Sequence, residues 1–202
     1  MDDILKNEID YLLKERVWKT KKSRMEAEAR LIQNNLIADI LVNYYTFAVI
    51  VYSILALVLD SGNSYSKNIT ISTLVLSIGL FGITLFLSSV GFKQKATQFK
   101  DSYHKLDLLE IDINHLLRSA QFKSKKQIID ELYVLEQKYI YILSLTDNHH
   151  TIDHDRIVIM RKLKGLSQYL KNKFYAKKIL KWLLIVFLFI FPFLLALIVE
   201  LF

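Results

Sequence analysis

The chain has 202 residues, of which 52% are apolar and 23% charged, with five Gly, one Pro and no Cys. The lack of thiols excludes disulfides and cysteine chemistry, and so few turn residues exclude a loop-rich fold in favour of long helices. A net charge of +7 suits either nucleic acid or the inner face of an anionic membrane, and the position of the charge decides between them.

In a water-soluble protein apolar and charged residues interleave along every helix. Here they segregate into blocks. Residues 2–42 read as one long helix, because Ile4, Ile9, Leu12, Leu13 and Val17 keep a helical period with no Gly or Pro between them. Charges of mixed sign fill Arg16 to Arg30, as on a solvated helix face. The first membrane span is predicted over Leu36–Leu59, with Tyr44 and Tyr45 as interfacial anchors. Residues 1–35 contain no apolar signal-peptide core and no small-residue cleavage site, so this span is expected to act as its own insertion signal. Asp60 to Asn68 is a short polar turn, which makes the first two spans a helical hairpin.

The second span is predicted over Ile69–Phe92, 24 residues without a charge. From there a heptad seam runs on through Phe92, Ala96, Phe99, Tyr103, Leu106, Glu110, Ile113 and Leu117, with Glu110 as its one charged intruder. Ser124 and Gln127 have the spacing of a capping box. The helix it opens carries a second seam of Ile128, Leu132, Leu135, Tyr139 and Ile142. Thr146 to Thr151 is a polar turn, and Asp153 and Asp155 suit the start of a further helix through Lys173. The third span is predicted over Ile179–Leu201, with Trp182 at its edge and Pro192 as a kink.

The predicted fold is all-α: an integral membrane helical bundle with a transmembrane hairpin, long cytoplasmic helices and a third, C-terminal transmembrane helix. Its segments are a charged cytoplasmic helix (1–42), the hairpin (43–92), a cytoplasmic helical bundle (93–178) and the C-terminal span (179–202). Residues 93–178 carry 17 Lys/Arg against 10 Asp/Glu, and residues 1–42 carry eight of each. The 60–68 loop has a single Lys. By the positive-inside rule the N-terminus and residues 93–178 are cytoplasmic, and the hairpin loop and C-terminus face outward. The chain is thus expected to be a membrane protein with residues 1–42 and 93–178 on the cytoplasmic side.

Two polar stripes are candidate pore linings. At ~100 degrees per residue, Thr73, Ser77, Thr84, Ser88 and Gly91 fall within about 60 degrees of one another, with Leu80 among them. Hydroxyls interrupted by one Leu are what a narrow wet pore with an apolar constriction uses. Gly82 and Ser89, nearly opposite, suit close packing against a neighbouring helix. In the first span Asp39, Asn43, Thr46, Ile50, Ser53 and Leu57 lie within about 80 degrees, and a ring of Asp39 carboxylates favours cations. The plainer readings are that the hydroxyls return to their own helix carbonyls as packing glue, and that Asp39 sits in headgroup water.

Lys171, Lys173, Lys177, Lys178 and Lys181 are predicted to touch anionic lipid headgroups. Direct nucleic-acid binding is disfavoured, because few aromatic stacking positions (Tyr169, Phe174, Tyr175) interleave with these lysines. His149, His150, Asp153, His154 and Asp155 are the one metal-like cluster, and a solvated turn explains them more simply. No phosphate loop, His-Glu-x-x-His or Gly-x-Ser-x-Gly is present, so neither an enzyme nor a cofactor is expected.

Certain strings carry a family resemblance: Ala27-Glu-Ala-Arg30, Tyr44-Tyr-Thr-Phe47, Phe92-Lys-Gln-Lys-Ala-Thr-Gln-Phe99 and Tyr103-His-Lys-Leu-Asp-Leu-Leu-Glu110. With the layout around them, roughly residues 10–170 resemble the SLATT family, two-span effector domains of bacterial anti-phage systems, and most of all its family 5, often found beside reverse transcriptases. The resemblance implies an effector that is silent until a partner senses infection and then permeabilises the inner membrane, stopping the host cell. It supplies no catalytic residues, and the third span departs from its two-span plan. The expected function is a homo-oligomeric pore or channel, associating through the heptad seams, with Leu80 as a gate. The expected partner is a sensor such as a reverse transcriptase or nucleotide-signal synthase. The rival is a membrane scaffold that tethers such an enzyme. A transporter subunit is disfavoured by the lack of a buried charge in the second and third spans.

Overall fold

The computed structural model describes residues 3–58, 64–146 and 168–201, without the side chains of 64, 65, 170, 171 and 196–201. The predicted turn and helix start around His149 to Asp155 lie outside the described residues. Among those described there is no strand; the helices are α1 (Asp3–Tyr11), α2 (Trp18–Val58), α3 (Ser64–Val90), α4 (Phe92–Ser119), α5 (Lys125–Ser144) and α6 (Gln168–Leu201). The chain forms two compact units, one of residues 1–32 and 93–171, the other of residues 33–92 and 172–202.

The first unit is built on apolar seams. Leu5, Ile9, Leu12 and Val17 meet Leu106, Leu109, Ile113 and Leu116 of α4 and Ile128, Leu132, Leu135, Tyr139 and Ile142 of α5 in one hydrophobic core. The α5 seam is the predicted one, residue for residue. Its start is also as predicted: Ser124 Oγ accepts from the Gln127 N–H at 3.4 Å, and Gln127 Oε1 accepts from the Ser124 N–H at 2.9 Å, a closed capping box.

One prediction for this unit holds with a local change and one is corrected. The N-terminal helix is continuous as predicted, running from Asp3 to Val58, with Leu12–Val17 as a π-helical turn inside it. Its wider turn absorbs one extra residue, so Val17 follows Leu12 onto the buried face. On α4 the seam keeps the predicted Leu106 and Ile113 beyond Phe99, but Ser102, Leu109 and Leu116 take the places of Tyr103, Glu110 and Leu117. That line keeps a three-four spacing without a charged member. Glu110 stands beside the seam, where its carboxylate takes the Lys21 amine at 2.5 Å while Asp107 takes it at 2.7 Å.

Arg24 is 3% exposed. Its guanidinium donates to the Ile142 carbonyl at 3.2 Å and the Leu143 carbonyl at 3.4 Å. It thereby supplies donors to carbonyls that the end of α5 leaves orphaned, and places positive charge at the negative end of its dipole. Burial draws its pKa below the ordinary arginine value, partly opposed by Tyr139, and an arginine stays charged all the same. Arg16 adds a 3.4 Å bond to Glu136 and stacks 5.0 Å from the Tyr139 ring centroid.

The second unit inverts this pattern. Large apolar side chains point outward: Phe47, Ile78, Phe81, Leu183 and Phe193 are exposed. Small or polar residues, Ala38, Ser66, Ser72 and Tyr45, share the interior with Leu76, Ile185 and Pro192. The helical stretches Asp3–Val58, Ser66–Phe122 and Asn172–Leu195 each contain a window long and apolar enough to cross a membrane. α3 starts at Ser64, so the end of the predicted polar turn is already helical. At the passage from α3 to α4, Gly91 sits at φ 61. That left-handed conformation costs an L-residue about 1–2 kcal/mol and glycine almost nothing. Gly91 therefore works as a joint, its N–H still donating to the Leu87 carbonyl at 3.2 Å.

Candidate functional site

The two predicted stripes converge at one place. Asp39 and Asn43 of α2 and Thr84 and Ser88 of α3, together with Asn35, line a groove of about 500 Å³. α2 places Asn35, Asp39 and Asn43 on one face by its i, i+4 repeat, and the Asn35 amide donates to Asp39 Oδ2 at 2.8 Å. One carboxylate, two amides and two hydroxyls make an oxygen-rich concavity beside apolar helix surface.

The remaining stripe residues are not gathered there. The hydroxyls of Thr46, Ser53, Thr73 and Ser77 donate at 2.8 Å to the carbonyls of Val42, Val49, Ile69 and Thr73, one turn back on their own helices. Thr84 does the same to Leu80. The buried line of α3 is displaced from the predicted stripe and holds Ser66, Ser72 and Leu76. Leu80 lines a separate apolar cavity with Ala38 and Tyr45 of α2 and Leu184, Ile185 and Leu188 of α6. Within one chain, Leu80 thus lies by the third span. Apart from its own helix, no atom of the described residues lies within 4 Å of where a Cβ on Gly82 would be, so the close neighbour predicted for that face is not another described helix of the same chain.

The sequence reading missed a clamp on α6. Tyr44, Tyr45 and Tyr52 donate their hydroxyls to the carbonyls of Phe189 at 2.8 Å, Leu188 at 2.7 Å and Pro192 at 2.9 Å. Pro192 lies inside α6 and has no N–H, so the carbonyl four residues earlier, Leu188, loses its helical donor. Tyr45 supplies a replacement donor. Tyr44 and Tyr45 were predicted as interfacial anchors; their hydroxyls instead cap a neighbouring helix. A signal was available: a Pro inside an apolar run needs an outside donor, and tyrosines in another apolar run can provide it.

Of the predicted headgroup lysines, Lys173, Lys177, Lys178 and Lys181 are exposed on α6, and Lys181 Nζ donates to Asn34 Oδ1 at 2.6 Å. The side chain of Lys171 and the His149–Asp155 cluster lie outside the description. Among the described residues no three His, Cys, Asp or Glu come together as a metal site.

An all-helical chain with three candidate spans, a polar groove between two of them and an ion-paired helical bundle belongs to the class of helical membrane proteins. More narrowly, residues 5–199 match the SMODS and SLOG-associating 2TM effector domain family 5, and the chain belongs to that family. It is thus a membrane effector of the kind found in anti-phage conflict systems, whose family associates with SMODS and SLOG partners. The match corrects the predicted extent: it includes nearly all of α6, so the third span lies within the family's own length. No curated protein and no solved structure matches the chain.

Proposed function

We propose that this effector oligomerises in the bacterial inner membrane and opens an ion-conducting path when a sensor partner, such as a reverse transcriptase or nucleotide-signal synthase, is activated. The supporting observation is the groove that collects Asp39, Asn43, Thr84 and Ser88 from two different helices. Repeated around a ring of copies, that wall would present one carboxylate per chain to a cation path. The topology follows the basic residues: 1–42 and 93–178 in the cytoplasm, hairpin loop and C-terminus outside. The heptad seams are buried within one chain, so association falls to other surfaces. The Gly82 and Ser89 face, exposed on α3, suits close helix approach. The protein carries out no catalysis and needs no cofactor.

Leakage of K⁺ and dye, with growth, tests this in bacteria expressing the chain alone and with its partner genes under phage challenge. Asp39→Lys, which reverses the charge on the groove, should abolish triggered cation leakage at equal membrane abundance; unchanged leakage would remove Asp39 from the path. Leu80→Ser should leak without a trigger if Leu80 is the constriction, and a silent, well-expressed variant would reject the gate.

The return of the stripe hydroxyls to their own carbonyls favours a second reading, a membrane anchor that tethers a cytoplasmic defence enzyme. On that reading Ser77→Leu leaves function intact, and membranes stay tight under every condition.

A further inference from the structure

We propose that the apolar cavity between α2, α3 and α6 holds one acyl chain of an anionic phospholipid, with its phosphate on Lys181 and Lys177. The cavity measures about 370 Å³, within the range of small-molecule sites. Its walls are Leu41, Tyr45, Leu80, Ile83, Leu184 and Leu188, and its polar margin is Asn34 and Lys181. Cavities this apolar exclude water. In a bilayer the apolar molecule at hand is the hydrocarbon of a lipid.

The dimensions agree. From Asn34 to Tyr45 the α2 wall rises ~16 Å at ~1.5 Å per residue. One leaflet of a bilayer with ~30 Å of hydrocarbon is ~15 Å deep. The cavity therefore has the depth of a single chain from one leaflet, with its charged end where that leaflet's headgroups lie. Lys177 is one turn before Lys181 on the face that carries Leu184 and Leu188, and Lys178 is beside it; all are exposed. Positive charge at the mouth selects an anionic headgroup over a zwitterionic one. Because α6 forms one wall and α2 with α3 the others, the bound chain bridges the hairpin and the third span.

The inference takes from the proposed function only that the Lys181 end meets the cytoplasmic leaflet; lipid retention is read without conductance, so a failed leakage assay leaves it standing. The full-length protein in neutral detergent is titrated with phosphatidylglycerol and with phosphatidylcholine, each spin-labelled on the acyl chain, and the motionally restricted fraction is read by electron paramagnetic resonance. Phosphatidylglycerol should give a saturable component of one lipid per chain. Lys181→Gln should lower its preference over phosphatidylcholine about fivefold, and Lys177→Gln by a similar factor. Leu184→Trp or Ile83→Trp, filling the cavity, should remove the component for both lipids at unchanged helix content. An equal restricted fraction for both lipids in the parent, or one that survives filling, overturns the proposal. If the filled variants do not fold, a preference unmoved by both lysine variants overturns it equally.

Discussion

The two units of this chain solve the same problem, joining long helices, with opposite interiors. In the first, Leu106, Leu109 and Ile113 are fully buried among apolar partners, and charged groups such as Lys21, Asp107 and Glu110 ring them. In the second, most phenylalanines and isoleucines face outward, and serines and a tyrosine share the interior with Leu76 and Ile185. Water drives the first arrangement, because burying apolar area is favourable only relative to water. Lipid gives no such reward, so helices there associate through close packing and hydrogen bonds. The Tyr44, Tyr45 and Tyr52 bonds to α6 are therefore to the second unit what the leucine seam is to the first.

The sharpest way to break that contrast is to cut the seam. Leu109→Ala should destabilise the first unit by about 2–5 kcal/mol, the range for a large-to-small change in a packed core. The lipid-facing Leu183→Ala should change stability far less. Thermal unfolding in detergent followed by circular dichroism measures both. Equal losses would mean that outward-facing side chains of the second unit are packed after all. The joint comes next: Gly91→Ala forces a side chain into a left-handed conformation and should cost about 1–2 kcal/mol. The same change at Gly82, which has open space where a Cβ would go, should stabilise α3 by a few tenths to ~1 kcal/mol if that face meets only lipid. A loss of oligomers on Gly82→Ala would instead identify that face as the contact between copies.

The third effect is smaller and more specific. Tyr45→Phe removes the donor to the Leu188 carbonyl and should cost ~0.6–1.7 kcal/mol, the scale of interhelical hydrogen bonds in membranes. Pro192→Ala restores the helical N–H to that carbonyl. In a Pro192→Ala background, Tyr45→Phe should therefore cost almost nothing. A double-mutant cycle on unfolding in detergent reads the coupling; additive losses would show that Tyr45 acts through packing alone.

How much of this was legible in the sequence follows from which interactions are local. The spans, the α5 seam and the Ser124 capping box depend on spacing within one segment, and spacing is visible. The α4 seam was misplaced because Tyr103, Glu110 and Leu117 give as good a three-four run as Ser102, Leu109 and Leu116. Only the partner helices choose between them, and they place Glu110 at Lys21. The π-helical turn at Leu12–Val17 likewise answers to α4 and α5, not to its own propensity. At the candidate site the sequence showed that Asp39 and Ser88 belong to polar stripes. That they meet in one groove, while Ser77 turns back on its own helix, depends on the rotation of α2 against α3, which no single-helix periodicity carries. The tyrosine clamp was hidden because its acceptors are backbone carbonyls, which have no residue signature except the proline that frees one of them.

The weakest effect concerns the charges of the first unit, and its sign is fixed. Burial pulls the Lys21 amine down, but its hydrogen bonds and attraction to Asp107 and Glu110 outweigh this and hold its pKa above the ordinary lysine value. A group whose pKa is raised by folding stabilises the native state while it is protonated in both states. That contribution is complete below the unfolded value of about 10.4 and is lost as pH rises through the higher folded value. Many tyrosines titrate in the same window, so the parent's own alkaline unfolding curve is not diagnostic. The difference between the parent and Lys21→Met is. It should be constant from about pH 7 to pH 9 and shrink above about pH 10.4, as measured by thermal midpoints in detergent. A difference that persists undiminished past that range would show that Lys21 contributes through something other than its charge, and the first unit would then owe this ion pair nothing.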